Sequence, residues 1–256
     1  MSTQFRHYAK ELLNIALPII MGNLGFILIG AGDVLIAGHH STDTLAAISI
    51  ATAITNCIQT FGIGLISSVS PLLSNFRGEK KSAKKYFYPT IRFAMLLAVI
   101  VMIAVLAFIP VIDYLHFDAK LVPMIKQYMF VTAFATFGAY LHAALKEFLQ
   151  AFEVVVFPNL VTAIAVFLNI AVNILLVFGW GIIPSLGALG LAIASFVVRY
   201  FMGFALLIYC FRMMNFNDYK DFGYYKNLIK IGIPISCAIL VEFIAFNSIA
   251  IIMGRV

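Results

Sequence analysis

Four polar residues inside long apolar stretches of the sequence could together bind a small cation. Asp33 lies about 27 Å along its stretch at the helical rise, and Asn169, Asn173 and Ser195 reach similar depths in two other stretches. Carboxylate, amide and hydroxyl oxygens suit a hard monovalent cation or a proton. The pattern predicts a cation- or proton-binding site, with Na⁺ held by Asp33, Asn169 and Asn173. The alternatives are that Asp33 lies at the headgroup boundary and that the asparagines only join helices.

Two further charged residues lie within apolar stretches. Glu242 has 11 uncharged residues before it and 12 after it, and a carboxylate in that setting is a candidate functional residue by default. We therefore predict that Glu242 also takes part in cation or proton binding. Arg199 lies one helical turn after Ser195, and it could pair with Asp33 or Glu147 or extend to the membrane surface. The sequence leaves these alternatives open.

The composition places these residues in a membrane protein. Of the 256 residues 63% are hydrophobic and 11% charged, and the mean hydropathy is +1.02. A soluble domain carries about 25% charged residues, so a soluble globular protein is excluded. A membrane-spanning helix needs about 20 apolar residues, and the sequence predicts an all-α transmembrane protein. The seven predicted helices are 12–37, 44–70, 90–111, 124–145, 156–178, 187–212 and 227–253.

Basic residues mark the loops on one side of the membrane. Thirteen Lys and Arg flank the N-terminus and the loops after the second, fourth and sixth predicted helices, whereas the alternate loops carry only Lys120 and Lys126. The positive-inside rule then predicts a multi-pass protein of the inner (cytoplasmic) membrane with a cytoplasmic N-terminus. Because the basic residues are spread over short loops, the net charge of +6 does not indicate a nucleic-acid partner.

An internal repeat divides the chain. Residues 12–19 align with residues 228–235 at an offset of 216, which superimposes Pro18 on Pro234. Six helices separate the copies, so the repeat is parallel, as in transporters built from duplicated lobes. We predict a six-helix lobe (1–213), a cytoplasmic linker (214–226) and the first helix (227–256) of an incomplete second lobe. A proline inside a helix removes a backbone hydrogen bond, so Pro18 and Pro234 are predicted hinges.

An ordered series of short motifs resembles the multidrug and toxic compound extrusion (MATE) transporters over nearly the whole chain. The second helix ends in a pattern similar to the family's glycine–proline–glutamine–glycine motif, with Asn75 where glutamine is usual. Each fragment is weak alone, but the order of the fragments is specific. The other matching fragments are Glu11–Ile19, Gly32–Gly38, Leu45–Ala47, Phe148–Ala151, Pro158, Asn169, Asn173, Gly179 and Leu186–Ser195.

The resemblance implies about twelve helices in two lobes that open alternately to the two sides of the bilayer. It implies export of cationic or amphipathic compounds in exchange for Na⁺ or H⁺, with no catalytic residues and no cofactor beyond that ion. Asp33, Asn169, Asn173 and Ser195 match the family's first-lobe cation site, and Glu242 matches the glutamate of a second-lobe site. Arg199 departs from the family pattern, which expects an uncharged residue. The missing C-terminal lobe would be the main partner of this chain.

Three other interpretations are open from the sequence. A lipid-linked oligosaccharide flippase of the same superfamily would carry several cationic residues in its cavity, and only Arg199 qualifies. Gly30-Ala31-Gly32-Asp33 has the form of the intramembrane aspartyl protease motif, but that chemistry needs a second aspartate on a preceding helix. The chain could also be a truncated, inactive product, and we expect it not to transport on its own.

Overall fold

The computed structural model describes the backbone of residues 2–80, 82–181, 184–213 and 222–253; at both ends of the chain most side chains fall outside the description. Eight α-helices make up nearly all of these residues, which confirms the all-α fold. Short 3₁₀ turns flank the fourth helix. The helices are α1 (Ser2–His40), α2 (Thr42–Ile66), α3 (Val69–Gly78), α4 (Phe87–Phe108), α5 (Leu121–Ala151), α6 (Val156–Phe178), α7 (Ala188–Met213) and α8 (Phe222–Met253).

Six helical segments of the described residues are long and apolar enough to cross a bilayer, judged by length and composition. They correspond to the first six predicted helices, and the chain is a multi-pass membrane protein. The seventh predicted helix coincides with α8, although most side chains after Phe243 lie outside the described part. Of the predicted linker, residues 214–221 lie outside the described residues, and 222–226 form the first turn of α8.

The second predicted helix is interrupted, which the sequence pattern did not predict. Ser67 and Ser68 separate α2 from α3, and the Ser68 hydroxyl donates to the carbonyl of Leu65 at 2.7 Å. Serine hydroxyls that bond to the preceding turn compete with the helical backbone pattern. Pro71 lies in the first turn of α3, where its missing N–H has no helical partner to lose.

Helix α5 forms the centre of the bundle. It packs against α2, α4 and α7, and its side chains are buried along much of its length. Gly138 allows the close contact with α7, because a β-carbon at this position would lie 2.7 Å from the backbone nitrogen of Tyr200. Small residues of this kind let the backbones of membrane helices approach each other.

Glycines on α1 also set the position of Asp33. A β-carbon at Gly25 would lie 3.0 Å from the Thr162 methyl group, and one at Gly22 would overlap the side chain of Asn159. These contacts hold α1 directly against α6, so that the next turns of α1 bring Asp33 beside the asparagines of α6.

Helix α8 packs against α2 through a second pair of glycines. A β-carbon at Gly64 would lie 2.5 Å from Ser236 Cα, and one at Gly232 would lie 2.8 Å from Leu65 Cα. The Ser236 hydroxyl also donates to the Phe61 carbonyl at 2.8 Å. The helix assigned to the second lobe is therefore seated on α2 by close backbone contact.

Candidate functional site

The four predicted cation-site residues lie together where α1, α6 and α7 meet. Asn173 Nδ2 donates to Asp33 Oδ1 at 2.6 Å, and Ser195 Oγ donates to Asp33 Oδ2 at 3.3 Å. Asn173 Nδ2 also donates to Asn169 Oδ1 at 3.1 Å. The two asparagines and Ser195 are buried, and Asp33 is half-buried. The structure brings these residues together; that they bind a cation remains a prediction.

The asparagine pair is incompletely hydrogen-bonded. Asn169 Nδ2 and Asn173 Oδ1 are buried and lack partners among the described residues. Buried polar atoms usually have partners, and an unpaired one costs about 1–3 kcal/mol. The two asparagines of the Asp33 cluster therefore have hydrogen-bonding capacity that the described residues leave unused.

Asp33 and Ser195 open onto a cavity of about 830 Å³ between α1, α2, α5 and α7, to which α8 contributes Phe243. Most of the wall surface is apolar, and polar side chains are spread among the apolar ones, as expected for a site that holds amphipathic molecules. Charged residues of both signs also line it. They are Asp33, Lys146, Glu147 and Arg199.

Arg199 forms no ion pair with Asp33 or Glu147 in the described part of the chain; instead its Nη1 donates to Gln59 Oε1 at 3.3 Å. Gln59 Nε2 donates to Thr136 Oγ1 at 3.0 Å, and the Gln59 carbonyl accepts from the Tyr140 hydroxyl at 2.7 Å. Gln59 thus joins α2 to α5 and α7. This network, formed by Gln59, Thr136, Tyr140 and Arg199, positions the guanidinium in the cavity wall.

A second set of polar residues lies in the C-terminal part of α5. Lys146 Nζ donates to Asn23 Oδ1 at 3.1 Å and lies 5.2 Å from the centre of the Phe26 ring. His142 is buried against the same ring, with the two ring centres 5.5 Å apart, and its Nε2 has no partner among the described residues. These contacts join α1 to α5 in the part of α1 that precedes Asp33.

Sequence reasoning missed several of these residues. The prediction that only Arg199 brings positive charge to the cavity is wrong, because Lys146 lines it too. Lys146 follows the predicted helix 124–145, so its predicted position is a loop. In the structure α5 continues to Ala151, and Lys146 lies within the helix. Gln59 could have been noticed as an amide inside an uncharged stretch, but nothing in the sequence indicates that Thr136 and Tyr140 are its partners.

Glu242 and the two prolines lie apart from this cluster. The Glu242 side chain is exposed on α8 and does not line the cavity. Pro18 and Pro234 lie inside α1 and α8, which are continuous through them. The cation-binding role of Glu242 and the hinge roles of both prolines remain predictions.

Comparison with known proteins identifies the family of this chain. The family model described as MatE matches residues 18–175, which contain three of the four cluster residues. The chain belongs to the MatE family. The match begins at Pro18 and extends over α1 to α6, and therefore over most of the predicted six-helix lobe.

Curated relatives of this MatE chain include two proteins named multidrug resistance protein NorM. The Photobacterium profundum protein is 25% identical over 98% of the chain and 57% of its own length. The Neisseria meningitidis protein, named as probable, is 26% identical over 98% of the chain and 57% of its own length. The chain therefore spans somewhat more than half the length of these relatives.

A solved structure shows the same fold. The eukaryotic MATE transporter AtDTX14 superimposes with a TM-score of 0.83 at 21% identity, covering 98% of this chain and 57% of that one. The described fold is thus the N-terminal lobe of a MATE transporter, as predicted from the sequence, together with the helix that follows it.

Proposed function

We propose that this chain is the N-terminal lobe of a transporter that exports cationic or amphipathic compounds by alternating access in exchange for Na⁺ or H⁺. The Asp33 cluster is the observation that carries the proposal: a carboxylate with amide and hydroxyl partners at the wall of a large, mostly apolar cavity. The names of the NorM relatives support the export role. The protein would act as a carrier in the bilayer and not as an enzyme.

Rotation of the asparagine amides could couple Asp33 to the ion. In the present arrangement Asn173 presents its Nδ2 to Asp33, which suits an ionised carboxylate. If both amides turned over, Asn173 Oδ1 would face Asp33 and accept from its protonated form, and Asn169 Nδ2 would donate to Asn173 Oδ1. Asn173 Nδ2 and Asn169 Oδ1 would become the unpaired atoms instead, so the two arrangements make the same number of hydrogen bonds and differ in the protonation state of Asp33 that they suit. For Na⁺, rotation of the Asn173 amide alone would turn oxygens of Asp33, Asn169 and Asn173 toward the ion.

Coupling follows from competition at one carboxylate. An ionised Asp33 attracts a cationic compound, because a charge in a low-dielectric site is costly without a partner. Binding of Na⁺ or H⁺ from the outer side removes that attraction and releases the compound. A bend of α1 at Pro18 would accompany the change of state.

The charge of the cavity favours this proposal over a lipid-linked oligosaccharide flippase. Lys146 and Arg199 are offset by Asp33 and Glu147, whereas a polyanionic carrier lipid would need a surplus of positive charge. The protease alternative has less support, since no second carboxylate bonds or pairs with Asp33 among the described residues.

Binding of a cationic dye to the purified chain tests the site. We expect rhodamine 123 fluorescence polarisation in detergent micelles to show binding that weakens as Na⁺ rises or as pH falls. Asp33→Asn should lower the affinity about tenfold and remove that dependence, since a charged partner contributes about 1.5–3 kcal/mol. Asp113→Asn is the matched control, because Asp113 is exposed and pairs with Lys126 at 2.7 Å. Unchanged binding and unchanged ion dependence in Asp33→Asn would contradict the proposal.

Transport itself requires both lobes. The chain can be joined to the C-terminal portion of a NorM relative and reconstituted in proteoliposomes with separate Na⁺ and H⁺ gradients. We expect dye exchange driven by one of the two gradients, which identifies the coupling ion, and none from the chain alone. Gradient-driven exchange that persists in Asp33→Asn would exclude Asp33 as the coupling residue.

A further inference from the structure

The cavity contains two opposite charges that do not pair with each other. Asp33 and Arg199 both line it, yet no ion pair within 4.0 Å joins them in the described part of the chain. Ser195, which donates to Asp33, lies one helical turn from Arg199 on α7, or about 6 Å along the axis. Because Ser195 holds Asp33 one turn from Arg199, one small molecule in the shared cavity can contact both the carboxylate and the guanidinium.

The Arg199 side chain is held for binding by its own supporting network. Gln59 receives one of its N–H groups, and Gln59 is fixed in turn by Thr136 and Tyr140. A guanidinium has five N–H donors in a rigid plane that matches a carboxylate. Among the described residues Arg199 donates only to Gln59, so the remaining donors are available to a ligand in the cavity.

We propose that Arg199 forms a subsite for a carboxylate group, so that the compound bound here carries a carboxylate as well as the cationic group taken by Asp33. This inference rests on the proposed function and names its substrate class. The formal charges of the four charged residues of the cavity sum to zero, which matches a ligand without net charge better than a plain cation. Lys146 also lines the cavity, but it already contacts Asn23 and Phe26.

Two dyes that differ in one ester test the inference. Rhodamine 110 has a free carboxylate, and rhodamine 123 is its methyl ester with the same cationic ring system. We expect the chain to bind rhodamine 110 about tenfold more tightly, since a charge-assisted hydrogen bond contributes about 1.5–3 kcal/mol. Arg199→Gln should bring the ratio of the two affinities close to one, and Arg199→Lys should restore part of the ratio.

The ratio is measured within each variant, so a partly unfolded variant cannot imitate the result, and thermal unfolding of each variant checks the fold. Equal affinity of the two dyes for the unchanged protein, or an unchanged ratio in Arg199→Gln, would overturn the subsite. Asp33→Asn separates the two proposals: it should weaken both dyes alike, and if it weakens neither, the proposed function itself fails.

A lipid headgroup is the competing source of an anionic group. Phosphatidylcholine added to the micelles should leave the preference for rhodamine 110 intact. If the lipid displaces rhodamine 110 from the unchanged protein but not from Arg199→Gln, Arg199 binds lipid phosphate, and the small-molecule carboxylate subsite is overturned.

Discussion

The two polar regions of the cavity wall differ in how completely their hydrogen bonds are formed. In the network around Gln59, the side-chain amide and the backbone carbonyl all have partners, from Thr136, Arg199 and Tyr140. In the Asp33 cluster, one amide atom of each asparagine has none among the described residues. Both regions lie between transmembrane helices, where an unpaired polar group is costly.

This difference suggests that the Gln59 amide supports the packing of the helices, whereas the Asp33 cluster responds to the ion. The Gln59 amide, paired at both its nitrogen and its oxygen, has one best arrangement and joins α2 to α5 and α7. A cluster with unpaired atoms beside a carboxylate has a second arrangement close in energy, which a proton or Na⁺ can select. Variants of Gln59 and Thr136 should therefore change stability, and variants of the Asp33 cluster should change ion dependence.

Replacing Gln59 should have the largest effect on stability. Gln59→Leu removes the N–H that the Thr136 hydroxyl accepts and the oxygen to which Arg199 donates, so we expect a loss of about 2 kcal/mol in the free energy of unfolding. Denaturant unfolding in micelles measures it. The double variant Gln59→Leu/Thr136→Val should lose less than the sum of the single variants, because both ends of one bond are removed together. Additive losses would show that Gln59 and Thr136 are not coupled.

Replacing Asn173 should change ion dependence more than stability. Asn173→Ala removes the amide that faces Asp33, and we expect the effect of Na⁺ or H⁺ on rhodamine 123 affinity to shrink about tenfold. Fluorescence polarisation over Na⁺ and pH series measures this effect. Asn159→Ala is the control, since Asn159 lies on the same helix, is also buried with an unpaired oxygen, and does not contact Asp33. An equal change in ion dependence in both variants would contradict a specific role of Asn173 in ion coupling.

The Asp33 cluster was predictable from sequence because its members are polar residues at matching depths in apolar stretches. The network around Gln59 was not, since its members are single uncharged residues whose neighbours depend on how α2, α5 and α7 pack. The break at Ser67 and Ser68 was missed for a related reason: serine bonds to the preceding turn, which apolar composition does not record. The sequence predicts a loop position for Lys146 because the predicted helix is shorter than α5. The length of the helix decides whether a cation near its end faces the solvent or the cavity.

Replacing Thr136 alone should have a smaller effect than replacing Gln59. Thr136→Val keeps the shape of the side chain and removes one interhelical hydrogen bond, which in membrane proteins contributes about 0.6 kcal/mol on average. We expect the free energy of unfolding to fall by about that amount, with no change in the Na⁺ or pH dependence of dye binding. A change in ion dependence would mean that the Gln59 network and the Asp33 cluster act as one unit.

Replacing Glu242 should have the smallest effect on this chain and is the sharpest check on the comparison. Glu242 and Asp33 are both intramembrane carboxylates in the sequence, but Glu242 is exposed on α8 and outside the cavity, whereas Asp33 has two hydrogen-bond donors at the cavity wall. We expect Glu242→Gln to leave rhodamine 123 affinity and its ion dependence unchanged in the isolated chain. In the chimaera with a second lobe, the same variant tests whether Glu242 joins a cation site there. A change in ion dependence for Glu242→Gln in the isolated chain would contradict this comparison. It would show that a carboxylate can couple to the ion without hydrogen-bond partners at the cavity wall.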